Sequence, residues 1–411
     1  MNPLIKKLIE KQNAAVPNSS MSGSDLSSEV KIWIPTGDYK LDITISNKEQ
    51  GGWPCGRVVE IFGKESIGKT TLVLNGIKNC QAMGGIGIFY DVEQAGAFEM
   101  MEACGVDREN MIYNNATSIE DVFTSLEETL KEIAKEKSMK NKPVLCIIDS
   151  IAALVTDAEL EAGYENNMNL GGLKPKQLGK GLRKISPFLK EANCCLIMLN
   201  QIRQTIGISY GDPDIAPGGK AKDFFASLRI KLLGMKKIEV AEAVMTDEEY
   251  EKIVTDWKTG GKEGPKPKRP KGEGLVLGCD VNAKLIKNKV GIPHRETTFR
   301  IMFLQGIRES KTLLDFLEDN DYVAKSGAWY TWLDPDKDCP IPDGEKFQEK
   351  GWEEYLSDYD VYEWVKSKIR KKTIKKIDMS KIKEDDLQES EFDLGEDEKV
   401  VTKKIKATKE D

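Results

Sequence analysis

The sequence predicts an α/β fold: a mostly parallel central sheet with helices on both faces. Short continuous apolar runs, each the length of one strand, alternate with amphipathic stretches, as expected of strands buried on two sides. A glycine-rich G-x-x-x-x-G-K-T run lies between one such strand and a helix, the context in which it cradles phosphate. The chain has 411 residues, room for about two to three folded units.

Taken in order, residues 2–13 place Leu4, Ile5, Leu8 and Ile9 at helical spacing among lysines. Two readings stand: a frayed surface helix, since an isolated helix this short is marginal, or a helix that docks on a neighbouring subunit. The Ser/Gly-rich stretch 18–28 reads as a linker, which makes 1–30 an N-terminal oligomerisation helix plus linker. From 31 to 307 the core alternates strands at 57–62, 86–90, 144–148, 195–199, 228–232 and 299–303 with helices such as 70–82, 118–136 and 178–191. An insertion at about 236–274 interrupts it with a charged helical segment and a Pro/Lys/Gly-rich run, read as flexible and solvated. After 307 the composition turns aromatic and acidic, which predicts a small α+β C-terminal domain over 308–371. The charged remainder, 372–411, is poor in aromatics and reads as a disordered tail.

Composition excludes several classes. The longest apolar runs fall far short of the roughly 20 residues of a membrane span. The first residues lack a signal-peptide core, which points to a cytoplasmic protein without a membrane partner. Eight scattered cysteines without a C-x-x-C, and His294 as the one histidine, give neither a disulfide framework nor zinc-ligand spacing. Acid–base work therefore falls to carboxylates, lysine or a bound metal. The net charge of -7 conceals asymmetry: acids crowd the tail, while bases gather at 258–271 and 366–376. That is compatible with a polyanion-binding body and an acidic arm.

In the run Gly63, Lys64, Glu65, Ser66, Ile67, Gly68, Lys69, Thr70, glycines let main-chain N–H groups close on phosphate oxygens, and the following helix N-terminus favours the anion. Lys69 is placed to bridge the β- and γ-phosphates, and the Thr70 hydroxyl to ligate Mg²⁺. Asp149 ends an apolar strand, where α/β sheets present ligand groups, and is the candidate for the hydrated Mg²⁺ of an ATP-type nucleotide. Glu93, just beyond the strand 86–90, is either the group that deprotonates an attacking water or a surface acid opening the next helix. The polar run Asn200, Gln201, Ile202, Arg203 ends another strand before a Gly/Pro-rich loop at 205–219. It is either a γ-phosphate sensor or a capping network.

In chain order, the stretches GRVVEIFGKESIGKTTL, YDVE, IIDSIAAL, NQIR with a later GG, FFASLRI and KNK resemble those of the bacterial RecA recombinases and their phage-encoded relatives. The likeness runs over about 34–307 and resumes with GAWY at 327–330. It implies a RecA-like P-loop ATPase core and a DNA-dependent ATPase that uses ATP and Mg²⁺. Such a protein forms a homo-oligomeric helical filament on single-stranded DNA, pairs it with homologous double-stranded DNA and exchanges strands in recombination and repair. Carried over by position, Gly63 to Thr71 would cradle ATP, with Lys69, Glu93 and Gln201 catalytic and Thr70 and Asp149 at the metal. Lys287 and Lys289 would reach ATP held by the adjacent subunit. Segments 159–173 and 205–219 would be the DNA loops, and Arg183, Arg203, Gly218, Gly219 and Arg229 would lie near DNA.

The chain departs from that pattern at Ile67 (usually small and polar), Lys64 (usually proline), Ala97 and Met100 (usually an acid and a tyrosine near adenine) and Asp223 (usually lysine). The first loop is longer, at 164–169, and the Lys-rich insertion has no counterpart: it reads as a solvated linker or a DNA-binding arm. Two other functions fit the same core, a ring-forming helicase and a non-catalytic ATP/DNA-binding paralogue. KNK and GAWY favour the recombinase over the helicase, and intact Lys69, Thr70, Glu93 and Asp149 argue against the paralogue.

Overall fold

The computed structural model describes residues 3–15, 29–94, 96, 98–162, 172–204, 214, 215, 217, 219–243, 247–259, 271–303 and 305–375. Met1–Lys31 form one compact unit and Ile32–Asp411 another. The first holds α1 (Pro3–Ala15), with Leu4, Ile5 and Leu8 exposed. The linker expected at 18–28 lies outside the described residues, as does the tail from 376 onward.

The second unit is built on a nine-stranded sheet. In chain order its strands are β1 (Val58–Gly63), β2 (Ile86–Asp91), β3 (Met111–Asn114), β4 (Val144–Asp149), β5 (Cys194–Gln201), β6 (Leu228–Ala243), β7 (Lys271–Asn288), β8 (Glu296–Met302) and β9 (Gly306–Ile307). Across the sheet they run β9-β8-β7-β6-β1-β5-β4-β2-β3. Pairing is parallel from β6 to β3 and antiparallel from β6 to β9, in agreement with the α/β class expected.

The continuous apolar character of the inner strands follows from two cores. On one face Leu72, Val73 and Ile77 of α3 (Lys69–Ala82) pack on Val59, Ile61, Leu145, Ile147, Ile197 and Leu199. On the other, Val122 and Leu126 of α4 (Ile119–Lys135) and Leu182 and Ile185 of α5 (Leu173–Glu191) cover Val58, Ile88, Cys146, Ile148, Leu196 and Met198. Successive residues point to opposite faces, so both sets must be apolar. Ser118 caps α4 by accepting the Asp121 N–H at 3.0 Å.

The insertion is more ordered than expected. Residues 236–243 continue β6 and 271–274 open β7, so the two strands form one long antiparallel ribbon from Leu228↔Asn288 to Ala243↔Lys271. Only the segment between is helical in the expected sense, as α7 (Asp247–Thr259); 260–270 lie outside the described residues. The charged run 236–243 gives no local sign of pairing because its partners lie between 28 residues on (Ala243↔Lys271) and 44 (Lys236↔Asp280), and a two-stranded ribbon need bury neither face fully.

Beyond β9 come α8 (Glu309–Asp319), a three-stranded sheet of β10 (Val323–Ser326), β11 (Trp329–Trp332) and β12 (Lys346–Gln348), and α9 (Tyr359–Thr373). A third core gathers Leu313, Leu317, Tyr330, Trp332, Phe347, Trp352 and Val365, and it takes in Ile43 of α2 (Tyr39–Ser46). α9 reaches two residues into the stretch expected to be tail. Its Lys368, nearly buried, is held by Asp336 at 2.7 Å and Asp338 at 2.6 Å.

α4 and α5 approach so closely at Gly181 that a Cβ there would sit 2.4 Å from Phe123 Cδ2. Gly181→Ala, which in an open helix gains about 1 kcal/mol, is expected here to lose about 1–3 kcal/mol through overpacking. Denaturant unfolding should show a lower midpoint, and a higher one would place the helices further apart.

Candidate functional site

Parallel pairing sets the carboxyl ends of β1, β5, β4 and β2 side by side along one edge of the sheet. The loop after β1 turns into α3 through Ser66 (φ 55°) and Gly68 (φ 89°), both left-handed. A side chain at Gly68 would also collide with Ile301, whose Cδ1 lies 2.7 Å from the Cβ position. The first N–H groups of α3 are thereby aimed into the loop's concavity, where an anion is favoured.

Lys69, at the first turn, donates to the Gly63 and Lys64 carbonyls at 3.1 and 2.7 Å. Burial lowers its pKa, opposed by the nearby carboxylates of Asp149, Glu93 and Glu65. The ammonium is thus poised among carbonyls that a phosphate oxygen would outbid. Thr70 Oγ1 donates to Asp149 Oδ2 at 2.7 Å, so hydroxyl and carboxylate converge from α3 and β4. Burial pushes the Asp149 carboxyl up to about 6, with Glu93 and Asp91 adding to the rise and the Thr70 hydrogen bond and Lys69 opposing it. Among the described residues no three His, Cys, Asp or Glu gather as a metal cage. That donor set fits a Mg²⁺ bound by one hydroxyl and one carboxylate, with phosphate and water completing its shell.

Glu93, just past β2, accepts from Ser150 Oγ at 2.5 Å and from Gln201 Nε2 at 3.4 Å on the same oxygen. Three strand ends thus meet on one carboxylate. Asp91, buried beside it, accepts from Tyr113 OH at 2.5 Å and Gly96 N at 3.0 Å, and is occupied in shaping the turn.

Some expected site residues stand elsewhere. Ile67 is buried in the first core, beside the positions that side chains at Gly63 and Gly234 would fill, so only its main chain can face phosphate. Lys64, Glu65 and Ser66 are exposed on the loop's rim, and Thr71 is buried with its hydroxyl 3.6 Å from Met100 Sδ. Met100 packs partly into that core, and Ala97 lies outside the described residues. Lys287 donates to the carbonyls of Asp223 and, at 3.3 Å, Phe224, at the end of α6 (Gly219–Phe225). Burial and the neighbouring Lys289 and Arg229 lower its pKa. Lys289 stands 5.8 Å from the Phe224 ring centre, and that ring is itself 72% exposed.

Arg183 is exposed on α5. Arg203 sits in a two-residue strand whose main chain pairs with Ile215; its side chain lies outside the described residues, as do Gly218 and most of both expected DNA loops (163–171, 205–213 and 216). Gly219 (φ 72°) opens α6 with Pro175 2.8 Å from its Cβ position, so it is needed for helix packing. Arg229, expected near DNA, pairs its guanidinium with Glu60 at 2.6 Å and Asp223 at 3.0 Å and lies over Phe62.

Glu60 and Lys222, both fully buried and 3.0 Å apart, were not foreseen, nor was Asn200's bridge between Glu60 and the Pro217 carbonyl. The available signal was Glu60 itself: a carboxylate within the apolar run 58–62 requires buried partners.

Compared with known proteins, residues 5–260 match the family profile of the RecA N-terminal domain. The chain is similar to Protein RecA of Clostridioides difficile, 34% identical over 301 residues that cover 73% of this chain and 74% of that one. It is similar to Protein RecA of Crocosphaera subtropica, 35% identical over 299 residues and 73% of each. Its likeness to the mitochondrial DNA repair protein recA homolog of Dictyostelium discoideum is 31% over 387 residues, 93% of this chain and 74% of that one.

The Asp149 carboxyl carries a testable consequence. Its pKa is near 6 in the fold against 3.8 ordinarily, so between these values the folded state holds the extra proton, and stability falls as pH rises. Melting of the nucleotide-free protein should show this decline from about pH 4 to 6, and Asp149→Asn should make it shallower, leaving the share of other raised carboxyls such as Asp42 and Glu309. An unchanged slope in the variant would mean that the titrating group lies elsewhere.

Proposed function

The chain belongs to the RecA family of recombination and repair proteins, and from that premise we propose that it is a DNA-dependent ATPase whose ATP-bound filament on single-stranded DNA pairs with homologous double-stranded DNA and exchanges strands. The observation that carries this reading is the meeting of Glu93, Ser150 and Gln201 beside the Thr70–Asp149 pair at one sheet edge.

In this reading the main-chain N–H groups of 63–71, exposed Lys64, Glu65 and Ser66 included, hold the triphosphate. Lys69 exchanges its two carbonyl partners for β- and γ-phosphate oxygens. Thr70 and Asp149 would hold Mg²⁺, which would supply positive charge to offset that of the triphosphate. Glu93, aimed by Ser150, orients the attacking water and takes its proton. Gln201, already on Glu93, meets the γ-phosphate and reports it to the segment that follows. Lys287 and Lys289 leave the end of α6 to reach ATP on the adjacent protomer, so nucleotide binding joins subunits. Arg183, Arg203, Gly218 and Gly219 contact the DNA backbone, which suits a binder that must leave bases free to pair. No described helix is long and apolar enough to cross a membrane.

Strand exchange between homologous DNAs with ATP and Mg²⁺, set against a heterologous duplex, tests the reading: product with the homologue alone is expected, and equal yields would refute it. Glu93→Gln should keep nucleotide binding while single-stranded-DNA-stimulated hydrolysis drops by about two to four orders of magnitude. Undiminished turnover would assign the base to another residue.

A further inference from the structure

We propose that Asn200 is a positioning residue that ties the γ-phosphate side of the nucleotide site to the segment after β5 and to the helix holding Lys287, with Glu60 as its anchor. This rests on the reading of Gln201 as the group that meets the γ-phosphate.

Asn200 is fully buried, and both N–H donors of its amide are engaged. Oδ1 accepts the Gln201 N–H at 3.0 Å, and Nδ2 donates to Glu60 Oε1 at 2.9 Å and to the Pro217 carbonyl at 2.7 Å. One planar group therefore joins the sensor's own main chain, a strand that is fixed at the sheet's centre, and the far end of the loop at 205–219. A buried amide cannot trade these partners for water, so movement at Gln201 must either move the others or leave a donor unpaired.

Glu60 cannot yield easily. Oε2 accepts from Arg229 Nε at 2.6 Å, and Oε1 lies 3.0 Å from Lys222 Nζ. Both cations turn also to Asp223, Lys222 at 2.7 Å and Arg229 at 3.0 Å, so two acids and two bases close a neutral ring. Lys222 and Asp223 lie on α6, and the main-chain carbonyl of Asp223, with that of Phe224, holds Lys287. The contacts run unbroken: Glu93, Gln201, Asn200, then Pro217 on one branch and Glu60, Lys222, Asp223 and Lys287 on the other. Phosphate drawing Gln201 off Glu93 would thus be felt at Pro217 and at the lysine withheld from the neighbour. Such coupling needs two arrangements: Lys287 on its own α6, as here, and released from it when the neighbour's nucleotide is reached.

The test exchanges charge across the anchor. In the double variant Asn200→Asp with Glu60→Gln, the carboxylate introduced on β5 keeps an acceptor for the Gln201 N–H. The amide introduced at 60 keeps an oxygen for Arg229 and an N–H for the new carboxylate, and Asp223 still pairs both cations, but the Pro217 carbonyl loses its donor. Stability, ATP affinity and DNA-free hydrolysis should stay close to wild type, while stimulation of hydrolysis by single-stranded DNA falls by about tenfold or more. The single variant Asn200→Asp, with two carboxylates facing each other, should be both unstable and unstimulated, so stability and coupling separate in the pair. A folded double variant stimulated like wild type overturns the proposal. A wild type that single-stranded DNA does not stimulate overturns the recombinase reading beneath it, which keeps the two failures distinct. Should the double variant not fold, amide exchange on the wild-type chain decides: a non-hydrolysable ATP analogue, without DNA, should alter protection across 219–225 together with 200–201, and unaltered protection in 219–225 overturns the coupling.

Discussion

The parallel register that sets Gly63 beside Gln201 and Asp91 beside Asp149 governs most of what this protein can do. Parallel strands cannot return by a tight turn; each connection must cross outside the sheet, and the helices so formed bury both faces. What remains open is the carboxyl edge, where successive strands release their chains into loops. The glycine loop, the Asp149 carboxylate, the Glu93 carboxylate and the Gln201 amide that touches it arrive at the same edge from β1, β4, β2 and β5. None needs the others in sequence to be its neighbour in space.

The same sheet imposes a cost at its centre. Glu60 stands in β1 between buried neighbours, and a carboxylate there is tolerable only with partners in fixed places. Removing one side of such a pair costs about 3–5 kcal/mol, so Lys222, Arg229 and Asn200 constrain one another as much as they stabilise the fold. This balance accounts for Asp223, which departs from the RecA pattern. With Lys222 and Arg229 already turned on Glu60, a third cation at that position would lack an acid, whereas aspartate completes the ring. The departure at Ile67 has a packing cause: its side chain fills space left by Gly63 and Gly234.

α2 joins the sheet to the C-terminal aromatic core. Leu41 and Ile45 enter the first core and Ile43 the third, which alternate faces of one short helix allow. Its acids are buried with it. Asp38 caps the helix by accepting the Leu41 N–H at 2.9 Å, Asp42 accepts the Thr36 N–H at 2.8 Å, and Glu309 of α8 accepts the Tyr39 N–H at 3.0 Å. Burial pushes Asp42 up to about 8 and Glu309 up to about 7, so the junction holds carboxyls near neutrality where main-chain donors need acceptors. Arg295 adds to it by donating to Asn47 and to the Thr373 carbonyl at the end of α9.

Local chemistry was legible from the chain alone wherever residues close in sequence act together. The strand–glycine loop–helix unit at 58–82, the carboxylate ending β4, the strand of apolar residues before Gln201 and the aromatic C-terminal stretch each declare themselves by pattern, because periodicity and turn chemistry are short-range properties. The ribbon of β6 and β7 did not, since its pairing spans the insertion and its outer residues need bury neither face. Nor did the sequence reveal that Arg229 pairs with Glu60, or mark Asn200 apart from any polar residue at a strand end. Which charge meets which, across a hundred residues or more, is set by strand order and helix placement, and no window of sequence contains those distances.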